Sequence, residues 1–469
     1  MRLEIENIGM ISKAEIDLKK ISVIAGENDT GKSTIGKVLY SLVYGVNTSS
    51  EVYEEIIQSN VKSLLSVIRK KLYNTIDFDY KTKETFEMFK DGTLLSLREE
   101  KEKQIDKIIK PLSNLMESAF FLHSSSEEED EWKVKFDKGF EMIENKLKTT
   151  VGLETVKEDL RVLRSYRDLQ IATDFIEKTG IQSILLLEFK EQIGSIFSDK
   201  IGKIKFYYEK NKILDLQIAE RNKFKWNSKL KKIYSKDVVY IESPFIFTKL
   251  KDEDTEKRLF KKMKGEPELY SHTDNLKEKL NSLKENKYTK FFISEIENKI
   301  SENINLEKTL EKCMNGKIKY SEDDEDFVLI KNDKKIAIEN VATGIKSFGL
   351  INLVLEAGYL KDDNILILDE PEVHLHPKWQ IEYAKLIAEL AKNLNIRILI
   401  TSHSPYFIEA IEKYSRKFGL ADETNFYLSQ KSEEGNSAVI ENVNNNIEKI
   451  FNTLADAYDK LDEDIIGDL

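Results

Sequence analysis

The sequence predicts an α/β fold, in which a mixed sheet carries flanking helices and a long helical insertion. Three observations predict it. An apolar segment at residues 21–25 runs into a glycine-bounded loop and then a helical pattern. The last third of the chain alternates strands with helices, which is typical of a sheet covered by helices. Between about residues 51 and 202, strand signals nearly vanish and apolar residues recur at helical spacing.

The strands of the predicted sheet come from three parts of the chain. Apolar and polar residues alternate at 3–5 and 14–18, which predicts a hairpin of half-buried strands before the strand at 21–25. Strand character returns at 204–208 and 213–218, and a buried strand is predicted at 238–241. Strands and helices then alternate to about residue 443, and residues 445–469 are predicted to form an amphipathic helix.

This pattern divides the chain into five segments. The core domain is predicted from residues 1–50, 204–248 and 317–469, with a helical insertion at 51–203 and a second helical segment at 249–316. A packed helical bundle is favoured for the insertion, because no sustained heptad repeat is evident. A coiled coil is the alternative. The acidic run at 124–131 is predicted to be an exposed loop.

Composition excludes several classes of protein. The 469 residues are 40% hydrophobic and 33% charged, and the net charge of −11 argues against a protein that coats nucleic acid indiscriminately. A single cysteine and five histidines leave no ligand set for a structural zinc. The charged N-terminus does not resemble a signal peptide, and no apolar run could span a membrane, so we expect a cytoplasmic protein without a membrane partner.

The glycine-bounded loop matches the pattern G-x-x-x-x-G-K-[ST] in full, between a strand and a helix. Glycines let the backbone N–H groups turn toward a phosphate, and the helix start adds its positive dipole end. Lys32 should reach the β- and γ-phosphates of ATP, and the Ser33 hydroxyl should bind Mg²⁺. The predicted ATP-binding residues are Gly26, Glu27, Asn28, Asp29, Thr30, Gly31, Lys32, Ser33 and Thr34.

Two later strands end in residues suited to triphosphate chemistry. Four apolar residues at 365–368 precede Asp369 and Glu370, so the sheet delivers two carboxylates to its ligand-binding edge. Asp369 should hold Mg²⁺, and Glu370 should act as the general base that activates water. A second apolar run at 398–400 leads to His403. A histidine at the end of a strand is often structural. Because His403 follows the glycine loop and the strand that ends in Asp369 and Glu370, it is predicted to sense the γ-phosphate.

A fourth element precedes the apolar helix that begins near residue 343. Small residues at its start leave backbone N–H groups free to face an anion, although alone they would only indicate a good helix start. The candidate phosphate-binding residues here are Thr343, Gly344, Lys346 and Ser347.

In this order, the four elements resemble the ATP-binding head of ABC ATPases, over residues 1–45 and 235–415. Residues 369–377 are similar to the Asp-Glu-Pro-Glu…His-Leu-His-Pro run of the OLD-like (overcoming-lysogenization-defect) branch. The resemblance implies a homodimer or higher homo-oligomer, in which the 343–347 segment of one subunit closes the ATP site of another. It places His374 and His376 in the D-loop between subunits, where the usual aspartate is absent; a metal pair is the alternative interpretation.

The same motifs resemble the stand-alone ATPase subunits of Septu-type and retron-associated anti-phage systems. That resemblance implies a separate nuclease or toxin partner. We expect no nuclease activity of the chain itself, because the residues after the His403 helix offer one short hairpin and no acidic metal cluster. The alternative is a DNA-repair or chromosome-associated ATPase that clamps DNA, with the basic segments 223–232 and 257–264 meeting phosphates. A transporter's nucleotide-binding subunit is disfavoured.

Overall fold

The protein is described here from a computed structural model. The described residues are 1–75, 93–121, 126–150, 154–165, 173–195, 197, 200–228, 230, 237–250, 269–284, 305–432 and 435–455.

Fourteen strands are found among these residues. In chain order, β1 to β14 are Arg2–Ile8, Ile11–Asp17, Ile21–Gly26, Gly202–Tyr208, Asn211–Ala219, Lys223–Trp226, Val238–Ile241, Lys317–Ser321, Asp326–Lys331, Lys334–Ala337, Ile365–Asp369, Arg397–Ser402, Thr424–Lys431 and Ala438–Asn442.

The helices flank these strands or lie between them in the chain. In chain order, α1 to α11 are Lys32–Thr75, Thr93–Phe121, Ser126–Thr150, Lys157–Ser165, Thr173–Glu188, Ile246–Lys249, His272–Asn281, Asn305–Met314, Thr343–Glu356, Pro377–Asn393 and Pro405–Lys417. In the described part of the predicted C-terminal helix, residues 448–455 are helical.

Eleven strands form one mixed sheet, in the order β6-β5-β4-β1-β2-β14-β13-β3-β12-β11-β7. Strands β13, β3, β12, β11 and β7 are parallel to their neighbours in this run, so their carboxyl ends meet at one edge. The β1–β2 and β4–β5 hairpins extend the sheet with antiparallel pairs. The predicted α/β fold with a mixed sheet and flanking helices is therefore confirmed.

Strands β7 and β11 are buried on both faces, which explains the uninterrupted apolar runs at 238–241 and 365–368. Leu366 and Leu368 of β11 pack into one core cluster, with helices α9, α10 and α11. Ile365 and Ile367 face the other cluster, which includes the first turns of α1. Because successive side chains of a strand point to opposite faces, one short segment of sequence supplies both cores.

The chain divides into two compact units. The first comprises Met1–Ser49, Glu177–Thr255 and Leu269–Leu469, and it holds the large sheet. The second comprises Ser50–Ile176 and Glu256–Glu268. In the second unit, helices α1 to α4 contribute to one apolar cluster that includes Leu72, Leu112, Phe140 and Leu160. No helix of the described residues is long and apolar enough to cross a membrane.

Three details differ from the sequence predictions. Residues 126–131 of the predicted acidic loop open α3, because carboxylates are stabilised near a helix N-terminus; residues 124 and 125 lie outside the described part. Residues 223–226 of the basic segment form the edge strand β6. A separate antiparallel sheet, β10-β9-β8, precedes α9. The other basic segment, 257–264, lies outside the described residues.

Candidate nucleotide-binding site

The predicted site residues lie at the carboxyl ends of β3, β12 and β11. Strand pairing aligns Asp369 of β11 with Thr401 of β12, and Thr401 with Ile24 of β3. The loop after β3 therefore lies beside the two acidic residues that follow β11. Ligands of open α/β sheets bind at this edge.

Glycines shape the loop between β3 and α1. Gly31 has φ +75°, and a Cβ atom there would lie 2.9 Å from Ile11 Cγ1. Gly26 has φ +155°, and a Cβ atom there would lie 2.4 Å from the Ser429 carbonyl oxygen. The Ser429 hydroxyl in turn donates to the Thr30 carbonyl at 2.8 Å. The loop thus needs both glycines and is held from the neighbouring strand β13.

Lys32 opens α1 with its side chain buried inside the loop. Its Nζ atom donates to the carbonyls of Gly26 at 3.0 Å and Glu27 at 2.7 Å, and it lies 3.4 Å from the Glu370 carboxylate. Glu27, Asn28 and Asp29 are exposed, whereas Thr30 is buried. Thr34 lies in the first turn of α1 and donates its backbone N–H to the Gly31 carbonyl at 3.1 Å.

Three hydroxyl groups hold the Asp369 carboxylate, which is buried. Ser33 Oγ donates to Asp369 Oδ1 at 3.0 Å, and Thr401 Oγ1 donates to the same oxygen. Tyr240, on the neighbouring strand β7, donates to Oδ2 at 2.9 Å. The carboxylate is therefore fixed through both oxygens.

Glu370 has a strained backbone at this edge of the sheet. Its φ is +48°, a region that non-glycine residues rarely adopt and that is often found at functional sites. Its N–H donates to the carbonyl and the hydroxyl of Thr401, each at 3.1 Å. His403 at 3.5 Å and Lys32 at 3.4 Å lower the pKa of its carboxyl, against the opposing effect of burial. The side chain is therefore ionised at neutral pH.

His403 lies between two carboxylates. Its Nδ1 atom is 3.5 Å from Glu370 and 3.8 Å from Glu372. Glu370 raises the pKa of His403, with a further contribution from Glu372, and burial opposes the shift. The protonated ring would carry N–H groups suited to a phosphate oxygen.

Glu372 and Gln380 fix the segment around His403. Glu372 is 1% exposed, and its Oε1 atom accepts from Ser402 Oγ at 2.6 Å and from the His403 N–H at 3.1 Å. Burial raises the pKa of Glu372. Ser404 donates to Gln380 Oε1 at 2.6 Å and caps the N-terminus of α11. These bonds fix the backbone that presents His403.

The candidate phosphate-binding residues Thr343, Gly344, Lys346 and Ser347 lie at the start of α9. Lys346 is buried and donates to the Glu339 carbonyl at 3.4 Å, and burial lowers its pKa. Ser347 Oγ donates to the Thr343 carbonyl at 3.3 Å. A Cβ atom at Gly344 would lie 3.1 Å from Leu375, in the loop after β11. Lys346 and Ser347 thus bond within their own segment, and Gly344 lies against the loop after β11. The five residues that the structure brings together are Lys32, Ser33, Asp369, Glu370 and His403.

His374 and His376 are exposed and have different neighbours. The His374 ring packs edge-on against Phe245, with 4.9 Å between the ring centroids. His376 caps α10 by accepting the Lys378 N–H on Nδ1 at 3.3 Å. Among the described residues, no group of three His, Cys, Asp or Glu side chains is arranged to hold a metal ion. The capping role of His376 explains one of the two histidines without a metal.

Ser33 and Asp369 fit a magnesium ion that is shared with a triphosphate. Their oxygen atoms lie 3.0 Å apart and belong to the ligand types that Mg²⁺ prefers. Mg²⁺ in nucleotide sites takes one or two protein oxygens and fills the remaining positions with phosphate and water. A site with only two protein ligands is therefore what such chemistry requires.

Several residues of this site were not predicted from the sequence. Three of them are strand residues that contribute hydroxyl groups: Tyr240, Thr401 and Ser429. The apolar pattern of a buried strand does not show which of its residues will contact the site. Glu372 follows Asp369 and Glu370 in a short acidic run, so its position could have indicated a contribution to the site.

A model of a known protein family matches most of the chain. The family is described as AAA ATPase domain, and the match covers residues 1–408. The chain belongs to the AAA ATPase domain family. The matched range contains both the glycine loop and the segment of Asp369 to His403. The prediction that the chain is an ATPase with a glycine-bounded phosphate-binding loop is thereby confirmed at the level of the family.

Two curated proteins show local similarity. Septu protein PtuA from Bacillus thuringiensis is 26% identical over an alignment of 140 positions, and the alignment covers 26% of this chain and 35% of that protein. "Retron Vc95 probable ATPase" from Vibrio cholerae serotype O1 biovar El Tor is 31% identical over an alignment of 100 positions, and the alignment covers 18% of each chain. The chain thus matches less than two thirds of the length of either relative.

Solved structures of SMC heads show a distant likeness. The SMC head domain from Thermotoga maritima has a TM-score of 0.36 and 10% identity, covering 94% of this chain and 98% of that chain. An Smc head bound to the C-winged helix domain of ScpA has a TM-score of 0.41 and 11% identity, covering 94% and 96%. The family assignment rests on the sequence match instead.

Proposed function

We propose that the protein binds and hydrolyses ATP at the edge of the sheet where β3, β12 and β11 end. The observation that carries the proposal is the convergence of five side chains from distant parts of the sequence. Each lies within 3.5 Å of another member of the group, and each is of the type that triphosphate hydrolysis requires. They are Lys32, Ser33, Asp369, Glu370 and His403.

The charges of these residues suit the reaction. Lys32 exchanges its carbonyl partners for phosphate oxygens when ATP enters the loop. Glu370 is ionised, so it can accept a proton from the attacking water. His403 gains a proton more readily than a free histidine, so it can donate a hydrogen bond to the terminal phosphate. Bound Mg²⁺, held by Ser33 and Asp369, would neutralise charge on the phosphates.

The proposal assigns a second copy of the chain to the other side of the nucleotide. The N-terminus of α9 has no side-chain cap, so its first turn can offer backbone N–H groups to a phosphate. Thr343, Gly344, Lys346 and Ser347 would act there in trans, and His374 and His376 would lie between the subunits. The resemblance to dimeric ABC ATPases supports this arrangement.

The hydrolysis proposal is tested by Glu370→Gln. This variant keeps the size of the side chain but cannot take a proton from water, so ATP hydrolysis should fall by about 10²- to 10⁴-fold while ATP affinity is retained. Phosphate release and equilibrium binding of a fluorescent ATP analogue measure the two effects. Lys32→Ala should lose binding itself, and Glu409→Gln, an exposed carboxylate of α11, should change neither.

Two results would contradict the assignment in different ways. Wild-type protein that binds no ATP would remove the proposed function. A Glu370→Gln variant that hydrolyses ATP at the wild-type rate would leave the ATPase in place but show that another group activates the water.

We further propose that the ATPase regulates an anti-phage defence system through a separate nuclease or toxin protein. The local similarity to Septu protein PtuA and to the Vc95 retron ATPase supports this role. Purified protein should then bind ATP and cut no DNA alone, and a co-expressed neighbouring gene product should co-purify with it. DNA cleavage by the purified chain that Glu370→Gln abolishes would contradict a separate partner.

A DNA clamp is the second candidate, favoured by the edge strand β6. Lys223 and Lys225 are exposed there, with the half-buried rings of Phe224 and Trp226 between them. Such a surface could meet a nucleic-acid backbone. ATP-dependent, salt-sensitive DNA binding without any partner, lost in Lys223→Glu/Lys225→Glu, would favour the clamp. Absence of binding at low salt would count against it.

A further inference from the structure

A buried tyrosine outside every sequence motif contacts the aspartate of the candidate magnesium site. Tyr240 lies on β7, next to β11 in the sheet, and it is 1% exposed. Its hydroxyl donates to Asp369 Oδ2 at 2.9 Å, while Ser33 and Thr401 occupy Oδ1. Tyr240 is thus the partner that fixes the second carboxylate oxygen.

The hydrogen bond between these two residues is buried. The Tyr240 hydroxyl is the donor and Asp369 Oδ2 is the acceptor. Tyr240 is 1% exposed and Asp369 is 5% exposed, so little water competes for the bond.

A glycine on α1 makes room for this contact. Gly36 lies one turn after Ser33, and a Cβ atom there would lie 3.0 Å from the Tyr240 hydroxyl oxygen and 3.1 Å from Ile367 Cγ2. Both distances are tighter than ordinary van der Waals contact. The helix that carries the phosphate-binding loop is thus shaped to accept the tyrosine hydroxyl.

A clamped histidine fixes the plane of the tyrosine ring. His272 stacks on Tyr240 with 4.3 Å between ring centroids and 25° between planes. Its Nδ1 atom lies 2.6 Å from Glu188 and its Nε2 atom 3.3 Å from Glu242, the residue that follows β7. The imidazole cannot rotate without breaking both contacts, so the stacked phenol ring is also held.

We propose that Tyr240 is a positioning residue that orients Asp369 toward the magnesium ion of the ATP site. The inference rests on the proposed function, because it concerns the metal that binds with ATP. The Asp369 carboxylate can contact the metal and its hydroxyl partners at the same time. Because these partners already fix its orientation, metal binding does not cost the carboxylate rotational freedom. Residues that orient metal ligands typically contribute about 10- to 100-fold to metal affinity.

The test measures metal affinity directly in the full chain. Mn²⁺ serves as a spectroscopic substitute for Mg²⁺, and its free concentration is followed by electron paramagnetic resonance in the presence of a non-hydrolysable ATP analogue. Tyr240→Phe keeps the ring and removes only the hydroxyl. We expect the Mn²⁺ dissociation constant to rise about tenfold, while affinity for the metal-free nucleotide is unchanged.

A matched control separates this role from general stability. Tyr427→Phe removes another buried hydroxyl of the same sheet, which bonds to the Asp17 backbone, and it should change neither affinity. Gly36→Ala displaces the Tyr240 hydroxyl from the other side and should weaken Mn²⁺ binding in the same direction.

The outcomes distinguish the inference from the proposed function. Mn²⁺ affinity of Tyr240→Phe within about twofold of wild type, with nucleotide binding intact, would overturn the positioning role alone. An equal loss in Tyr427→Phe would also overturn it, because the effect would then be one of stability. Wild-type protein that binds no nucleotide would overturn both.

Discussion

His272 is a buried histidine whose charge the fold stabilises. Its side chain is 9% exposed, and its ring lies between the carboxylates of Glu188 and Glu242. Burial lowers the pKa of the ring, but the hydrogen bonds to the two carboxylates and their negative charges together outweigh that effect and raise the pKa from 6.5 to about 9. The other titratable neighbours are Tyr40 and Tyr240, whose pKa values are raised well above 10.

The raised pKa of His272 predicts how stability depends on pH. The folded state favours the protonated ring, so its contribution is complete below pH 6.5 and is lost as the pH rises through about 9. The shift corresponds to about 3 kcal/mol. Wild type should therefore be more stable than His272→Gln at low pH, and the difference between their free energies of unfolding should decrease by about 3 kcal/mol between about pH 6 and about pH 10. Urea denaturation measures it, and a pH-independent difference would show that the ring is neutral.

At the scale of elements, the loop between β3 and α1 depends on a left-handed glycine. Gly31→Ala introduces both backbone strain and a clash with Ile11, so the loop must shift and ATP affinity should fall on the order of tenfold or more. Gly419 has nearly the same φ, +76°, but open space around it. Gly419→Ala should therefore lose about 1–2 kcal/mol of stability while ATP affinity is retained. Equal ATP affinity of the two variants would contradict the role of the loop.

The elements that could be predicted from the sequence are those with a strong local signal. The buried strands β3, β7, β11 and β12 are mostly apolar, and each lies within a residue or two of its predicted position. Strand β6 was not predicted as a strand, because exposed lysines alternate with aromatic residues in this edge strand and its sequence appears as a charged segment. Strands β8 and β10 carry few apolar residues, so their pairing with β9 depends on contacts that no single strand encodes.

The same distinction applies to the site. Lys32, Asp369, Glu370 and His403 follow recognisable patterns, and the structure brings them together, while their chemical roles stay predictions. The hydrogen bond between Tyr240 and Asp369 joins residues 129 positions apart, and it exists only because β7 and β11 are neighbours. Sheet order is set by the whole fold, so partners of this kind could not be predicted from local sequence.

At the scale of the whole molecule, the first unit is assembled from three separate stretches of chain. The loop lies in the first stretch, Tyr240 in the second and the remaining site residues in the third. A parallel sheet makes this possible, because strands distant in sequence end at the same edge. The second unit has an apolar cluster of its own.

Subunit mixing tests whether the complete site needs two copies of the chain. Lys32→Ala removes the phosphate-binding lysine, and Gly344→Asp places a negative charge at the start of α9, so each variant alone should be inactive. If α9 acts in trans, a mixed dimer contains one site with an intact loop and an intact partner helix. Equimolar mixing should then restore about a quarter of wild-type hydrolysis, since half of the dimers are mixed and each has one complete site. If both elements instead serve the same subunit, mixing restores nothing, and a mixture of Lys32→Ala with Glu370→Gln provides the inactive reference.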